Sequence, residues 1–355
     1  MTKTALETRP ETVLVRNVFH LMSYAFRALD VRDYEKIGSE EFEGMDDLLA
    51  AILLIGVESQ RRRGFEKDYK RIDEEGWRIK GRIDMRRTMV LSSASAPSAA
   101  YGYDEYDEDT QLNRILKTSL LVLLGSENVQ EGRRRRLRSA VAFMQGISTI
   151  DDPSRIRWPQ LRYHRNNRSY ELLMNVCYLV IKQHLMDPQS SEYNLASFDD
   201  KQWFSALYEN FILNYFKRHY PSLYVAGQKS IRPSESAPSF VPSMFTDVSI
   251  SNGERTLIID AKCYGRIFSM NYDKEIMSAD NIRQIYYYAA HTVSPERVSA
   301  MLVYAGTSER QVNEYWDDGG YRLGCKTLCL NTEFSEIAFG LDTIIVDAFG
   351  QIEKV

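Results

Sequence analysis

The stretches Met244-Phe245-Thr246-Asp247-Val248-Ser249-Ile250 and Thr256-Leu257-Ile258-Ile259-Asp260-Ala261-Lys262 decide how the C-terminal half of this chain folds. Both are short apolar-rich runs of strand length, and Ser251-Asn252-Gly253-Glu254 between them carries the Asn-Gly step that favours a tight hairpin turn. Successive side chains of a strand point to opposite faces, so Asp260 and Lys262 share a face roughly 6 to 7 Å apart while Ala261 turns away. Asp247 brings a second carboxylate from the neighbouring strand. Two carboxylates and an ammonium can converge on one phosphate. Such a group suits Mg²⁺, which takes one or two protein carboxylates and fills its other positions with water and substrate phosphate.

Working outward, the C-terminal half alternates helices with strands. Residues 202–219 read as an amphipathic helix, 222–226 as a short strand, 231–242 as a Pro/Ser loop, 280–291 as a helix, 298–304 and 321–330 as strands, and 333–349 as holding a final helix. The expected architecture over 191–355 is therefore α/β, a mixed central sheet with helices on its faces.

The N-terminal half has a different grammar. Apolar residues at helical spacing mark 15–29, 46–61, 110–124, 132–144 and 170–185. Two β-like pieces, 68–72 and 77–84, flank the turn-like Asp73-Glu74-Glu75-Gly76 and predict a protruding β-hairpin within about 68–90. Residues 92–100 are rich in Ser, Ala and Pro, and the acidic, Tyr-rich segment 101–109 reads as a mobile loop. The polar segment 187–193 marks the boundary, which predicts an α+β N-terminal domain over 1–190.

Composition bounds the function. With 45 basic and 49 acidic residues the net charge is −4, so bulk electrostatics gives no support for nucleic-acid binding and any DNA contact must come from a local patch or a partner. The densest basic run, Arg133-Arg134-Arg135-Arg136-Leu137-Arg138, reads either as a solvated helix face or as a contact for DNA phosphates or an acidic partner surface. The four cysteines are scattered, and Cys325-x-x-x-Cys329 has no matching His or Cys cluster, so reduced thiols in a cytoplasmic protein are expected. No stretch approaches the ~20 apolar residues of a membrane span.

Two further elements bear on the site. Glu209 lies off the apolar stripe Phe204, Leu207, Phe211 of its helix, and Gln284 and Tyr288 lie one turn apart on another. Taken singly, these are an ordinary surface glutamate and a polar edge beside a core aromatic. Their order is more specific. A glutamate on a helix, an aspartate on a strand, Asp-x-Lys on the next strand and Gln-x-x-x-Tyr on the following helix together resemble the PD-(D/E)xK nuclease superfamily. Thr246 stands immediately before Asp247 where the superfamily pattern has proline.

A resemblance spanning most of the chain is to McrC, the nuclease subunit of McrBC-type modification-dependent restriction systems. It rests on Asp247-Val248-Ser249-Ile250, on Leu257 through Tyr264, on the N-terminal piece 15–25, on Ile79-Lys80-Gly81-Arg82-Ile83-Asp84 and on Leu112-Asn113-Arg114-Ile115-Leu116-Lys117. The resemblance implies an Mg²⁺- or Mn²⁺-dependent DNA endonuclease with Asp247 and Asp260 as metal ligands and Glu209 as a further ligand, direct or through water. Lys262 would act on the attacking water or the transition state, and Gln284 and Tyr288 would position the lysine or a backbone phosphate. It also implies a partner, an McrB-like AAA+ GTPase ring that recognises methylcytosine and that the hairpin would enter and stimulate, and a pairing of complexes for double-strand cutting. This chain has no Gly-x-x-x-x-Gly-Lys-Ser/Thr loop with which to bind GTP itself. Two alternatives remain open: a non-catalytic adaptor that docks and activates an AAA+ NTPase, and a stand-alone repair-type nuclease.

Overall fold

Unbroken apolar runs such as 257–259 and 300–305 can satisfy both faces of a strand only at the middle of a covered sheet. The computed structural model, which describes residues 15–26, 42, 44–93, 99–186, 201–232, 238–263, 268–271, 274–292, 297–306 and 311–355, puts them there. The chain divides into two compact units, residues 1–48 with 190–355, and residues 49–189.

The first unit contains α1 (Val15–Ala25), α7 (Lys201–His219), α8 (Ala279–Ala290), α9 (Phe334–Phe349) and a six-stranded sheet. Its strands are β4 (Tyr224–Ile231), β5 (Met244–Ser251), β6 (Thr256–Lys262), β9 (Val298–Gly306), β10 (Asn313–Asp318) and β11 (Tyr321–Cys329), in the order β10-β11-β9-β6-β5-β4. The pairs β6/β9 and β9/β11 are parallel and the others antiparallel. A parallel step needs a crossover, which the connection containing α8 supplies between β6 and β9. Ile285, Tyr288 and Ala289 of α8 pack on Ile258, Ala300, Leu302, Tyr304, Leu323 and Cys325, one face of the sheet. Lys326, in the opposite alternation on β11, reaches Thr343 of α9, so helices cover both faces. The turn between β5 and β6 follows the Asn-Gly expectation: Gly253 has φ +90° and Asn252 Oδ1 accepts the Glu254 and Arg255 N–H groups. A small separate hairpin, β7 (Phe268–Asn271) with β8 (Lys274–Met277), precedes α8.

The second unit holds most of α2 (Met45–Arg63), then β1 (Asp68–Gly76), β2 (Arg82–Ile83), α3 (Met85–Ser93), β3 (Ala99–Asp107), α4 (Gln111–Gly125), α5 (Glu131–Phe143) and α6 (Tyr170–Met186). Here the expected hairpin is corrected. β1 runs straight through the turn-like 73–76 and pairs with β3, and the three strands lie in the order β1-β3-β2. The segment read as a mobile acidic loop is thus the central strand. Side chains tie the two strands together: Lys70 Nζ lies 3.9 Å from the Asp107 carboxylate, and the Tyr101 and Tyr103 hydroxyls donate to the Glu74 carboxylate. Gly81, at φ +70°, permits the approach of β2, since a Cβ there would come within 2.5 Å of the Gly102 carbonyl oxygen.

Two further expectations need comment. The arginine run on α5 is largely engaged within its own unit: Arg134 donates to the Ser126 and Val129 carbonyls, Arg136 pairs with Glu58, and Arg135 and Arg138 share Glu131. The domain expected over 1–190 also loses its first helix. Asn17 of α1, almost wholly buried, donates to the carbonyls of Leu330 (2.7 Å) and Thr332 (2.8 Å) after β11, and Tyr24 meets His219 of α7 at 2.9 Å. The expected linker at 187–193 and the end of the first predicted helix at 27–29 lie outside the described residues. Among the described residues no helix is long and apolar enough to cross a membrane, and all four cysteines are unpaired and buried.

Asn17→Ala would leave two carbonyls without their donor, at a cost of roughly 2–4 kcal/mol for two lost buried hydrogen bonds. Urea denaturation of the variant checks this; a change within about 0.5 kcal/mol, the range of an ordinary surface substitution, contradicts the assignment of α1 to the C-terminal unit.

Candidate active site

β5 and β6 part company at the residues that carry charge. Their ladder has Val248↔Ile259 as its last pair. Beyond it, Asp247 Oδ2 accepts the Ala261 N–H at 2.8 Å, so a carboxylate replaces the main-chain acceptor a continuing ladder would have used. β6 stays paired with β9 through Asp260↔Leu302, Ala261↔Val303 and Lys262↔Tyr304, which fixes Asp260 and Lys262 on one face. Asp260 is completely buried. Its Oδ2 lies 2.7 Å from Lys262 Nζ, and its Oδ1 has no hydrogen-bond partner.

The ammonium is held from the other side as well. Lys262 Nζ donates to Gln284 Oε1 at 3.1 Å, Gln284 Nε2 to the Tyr288 hydroxyl at 2.8 Å, and that hydroxyl to the Phe245 carbonyl at 2.8 Å. The chain of bonds starts on β6, crosses α8 by an i, i+4 pair and returns to β5 two residues before Asp247. Five of the six residues singled out from the sequence are thereby joined by direct contacts or through the Ala261 and Phe245 main chain. Glu209, half-buried on α7, approaches as a charge and makes no hydrogen bond with them. The Ala261 N–H and the Phe245 carbonyl were not foreseeable, because every residue carries them and only the sheet geometry selects these two.

The electrostatics is that of acids crowded together. Burial pushes the Asp247 carboxyl up to about 7, and the charges of Asp260 and Glu209 add to the effect, against the opposing Ala261 N–H and Lys262. Burial also raises Asp260, opposed by Lys262. Glu209 rises by burial first and the charge of Asp260 second. Three carboxyls held above their ordinary range beside a single ammonium form a site short of positive charge.

An oxygen-seeking cation fits these residues. The available donors are carboxylate oxygens, one of them buried without a partner, the ligand chemistry preferred by Mg²⁺ and Mn²⁺. Among the described residues no three His, Cys, Asp or Glu side chains are grouped to hold a metal ion. Asp247 and Asp260 are the pair that could hold such an ion, and Glu209, expected as a further ligand directly or through water, bears on the site through its charge.

Asp260 and Lys262 at the end of central strand β6, with Asp247 on the adjoining β5, lie in a mixed sheet covered by helices on both faces, an architecture consistent with a nuclease-like α/β fold. Residues 2–305 match the family model described as the McrBC 5-methylcytosine restriction system component, and the chain belongs to that family. It is 27% identical over 329 residues to the type IV methyl-directed restriction enzyme EcoKMcrBC of Escherichia coli K12, covering 90% of this chain and 93% of that protein. Its fold is similar to a chain in the half-complex from a tetradecameric assembly of Thermococcus gammatolerans McrB AAA+ hexamers with bound McrC. That match has a TM-score of 0.52 at 15% identity and covers 95% of this chain and 79% of the other.

The raised Asp247 carboxyl sets a pH test. Burial holds it at about 7 in the folded chain against 3.8 for an unperturbed aspartate, so the folded state binds more protons across that interval and stability falls as pH rises through it. Asp247→Asn keeps an oxygen for the Ala261 N–H and removes the charge. In metal-free buffer it should exceed the parent by roughly 2–4 kcal/mol above about pH 7, with the gain fading to nothing near pH 4. Melting curves at both ends of that range decide; an equal gain at both, or none at the upper end, contradicts the crowded-acid description.

Proposed function

We propose that this chain is the DNA-cutting subunit of a GTP-dependent, modification-dependent restriction complex, hydrolysing DNA phosphodiesters with Mg²⁺ or Mn²⁺ and docking on an McrB-like AAA+ GTPase ring. The single observation that carries the reading is the convergence of Asp247, Asp260 and Lys262 at one strand end in a member of this family. The relative from E. coli is itself called a methyl-directed restriction enzyme, and the similar Thermococcus assembly contains McrB AAA+ hexamers with bound McrC, which supports both the target and the partner.

When bound at Asp247 and Asp260, the cation supplies a water of lowered pKa and offsets charge that builds on the phosphate oxygens. The chain's own residues do the rest. Lys262 presents a fixed positive charge beside Asp260, where negative charge develops as water adds to phosphorus and an ester oxygen departs. Gln284 takes one ammonium proton in a hydrogen bond and so aims the others, while Tyr288 anchors Gln284 to the β5 main chain. Glu209 adds negative field that strengthens the site's demand for a cation. Among the described residues the chain offers one such site, so cutting both strands of a duplex calls for two complexes.

Docking is assigned to residues 77–90 of the second unit. Trp77 is 81% exposed, and Met85, Met89 and Val90 are each at least 60% exposed, beside the exposed Arg78, Lys80, Arg82, Arg86 and Arg87. Large apolar side chains ringed by guanidinium groups have the composition of a protein-binding patch. Choice of the modified base resides in the partner.

Reconstitution with the partner GTPase on methylated and unmethylated DNA tests the reading. Asp260→Ala and Lys262→Ala should each abolish cleavage while partner binding and GTPase stimulation persist; full cutting by Asp260→Ala sinks the nuclease assignment. A complex that stimulates GTP hydrolysis but never cuts, even with the parent chain, would instead identify an adaptor. Trp77→Ala combined with Met89→Ala should weaken GTPase stimulation roughly ten-fold or more, as loss of interface anchors does, with an unchanged melting temperature. Undiminished stimulation would move the docking site elsewhere.

A further inference from the structure

The sheet face that lies against α9 carries a cavity of about 300 Å³ that the proposed cutting reaction does not use. It opens near the beginnings of β6, β9 and β11, at the other end of β6 from Asp260; the five residue steps from Arg255 to Asp260 span roughly 17 Å of strand. Its floor is apolar, with Leu257, Met301 and Ile344, and its charged lining is Arg255, Arg297, Arg322 and Asp347.

The charges are not matched pairwise. Asp347 Oδ2 accepts the Tyr315 hydroxyl at 2.8 Å, and among the described residues none of the three arginines is ion-paired with a carboxylate. Arg322 instead lies over the Tyr315 ring, 4.7 Å from its centre. Gly324 makes that stack possible, because a Cβ there would meet the Tyr315 ring at 2.9 Å. Arg255 donates one hydrogen bond to the Ala348 carbonyl at 3.3 Å, and Arg322 makes a 3.5 Å contact with that of Asp347. These two also serve the C-terminal end of α9, where cations are favoured. Arg297 is exposed and has no such duty. A guanidinium has five N–H donors, so most of the fifteen or so donors around this cavity remain unspent.

We propose that this cavity binds a phosphorylated ligand of mononucleotide size, its phosphate gripped by Arg255, Arg297 and Arg322. Arginine forks match phosphate oxygens two at a time, and the ring-stacked Arg322 is already oriented to do so. The volume is at the small end of the range of ligand pockets and suits one nucleotide, and the apolar floor gives a nucleoside something to cover. The site is independent of the acid cluster, which sits at the opposite end of the strand and without a cation repels anions.

Calorimetric titration of the full chain with adenosine monophosphate, with inorganic phosphate and with a short DNA duplex tests this. Saturable binding of adenosine monophosphate, tighter than that of inorganic phosphate, is expected. Arg297→Ala should weaken it about ten-fold or more, the size of a lost charge-assisted hydrogen bond, without lowering the melting temperature. Asp260→Asn should bind as the parent does. Absence of binding, or binding that Arg297→Ala leaves intact, overturns the site. Equal affinity for both small anions removes the nucleoside, and a duplex that competes through Arg297 replaces the small ligand with a strand phosphate; either overturns the mononucleotide assignment.

Discussion

Asp260 interrupts an apolar stretch of strand, between Ile259 and Ala261 along β6 and opposite Leu302 on β9. Withdrawing a carboxylate from water at such a point costs several kcal/mol unless a partner comes with it. Lys262 is that partner, at 2.7 Å, and the surroundings are arranged to keep it there: Gln284 on α8, Tyr288 one turn on, and the Phe245 carbonyl on β5. The same strand end recruits Asp247, whose carboxylate stands in for a missing ladder bond. A sheet built for stability alone would place a branched apolar side chain at 260. α8, packed on the sheet through Ile285, Tyr288 and Ala289, and the parting of β5 from β6 at Asp247 together supply the groups around this buried charge.

The crowding of acids gives the site its direction. Asp247, Asp260 and Glu209 all resist ionisation, chiefly because of burial, with the charge of Asp260 also raising both Asp247 and Glu209, while Lys262 offsets only part of this. An added cation removes both the repulsion and the unpartnered state of Asp260 Oδ1. The chain's membership of the McrBC family rests on the match over residues 2–305 and is independent of this electrostatic reading.

Legibility from sequence followed interaction range. Asp-x-Lys, the Asn252-Gly253 turn and the Gln284/Tyr288 pair are set by spacing within one element, and their geometry was readable before any coordinates. Strand pairing across thirty or so residues was not, as Ile72↔Tyr103 illustrates: local turn signals at 73–76 favoured a hairpin, while β1 instead pairs with the distant acidic strand, where Lys70 meets Asp107 and Glu74 takes the Tyr101 and Tyr103 hydroxyls. β10 escaped notice because Asn313–Asp318 is a polar, half-exposed edge strand without an apolar run. The membership of α1 in the C-terminal unit depends on Asn17 meeting carbonyls more than three hundred residues away, which no local pattern signals.

The claim on which the account turns is that Asp247 and Asp260 form one cation site. Calorimetric titration of the purified chain with Mn²⁺ near pH 6.5, repeated in buffers of different ionisation enthalpy, reads affinity and proton release together. The account predicts a single site that Asp260→Asn abolishes, with net proton release as Asp247 gives up its proton to the incoming ion. Mn²⁺ binding that survives Asp260→Asn, or that releases no proton, would contradict it.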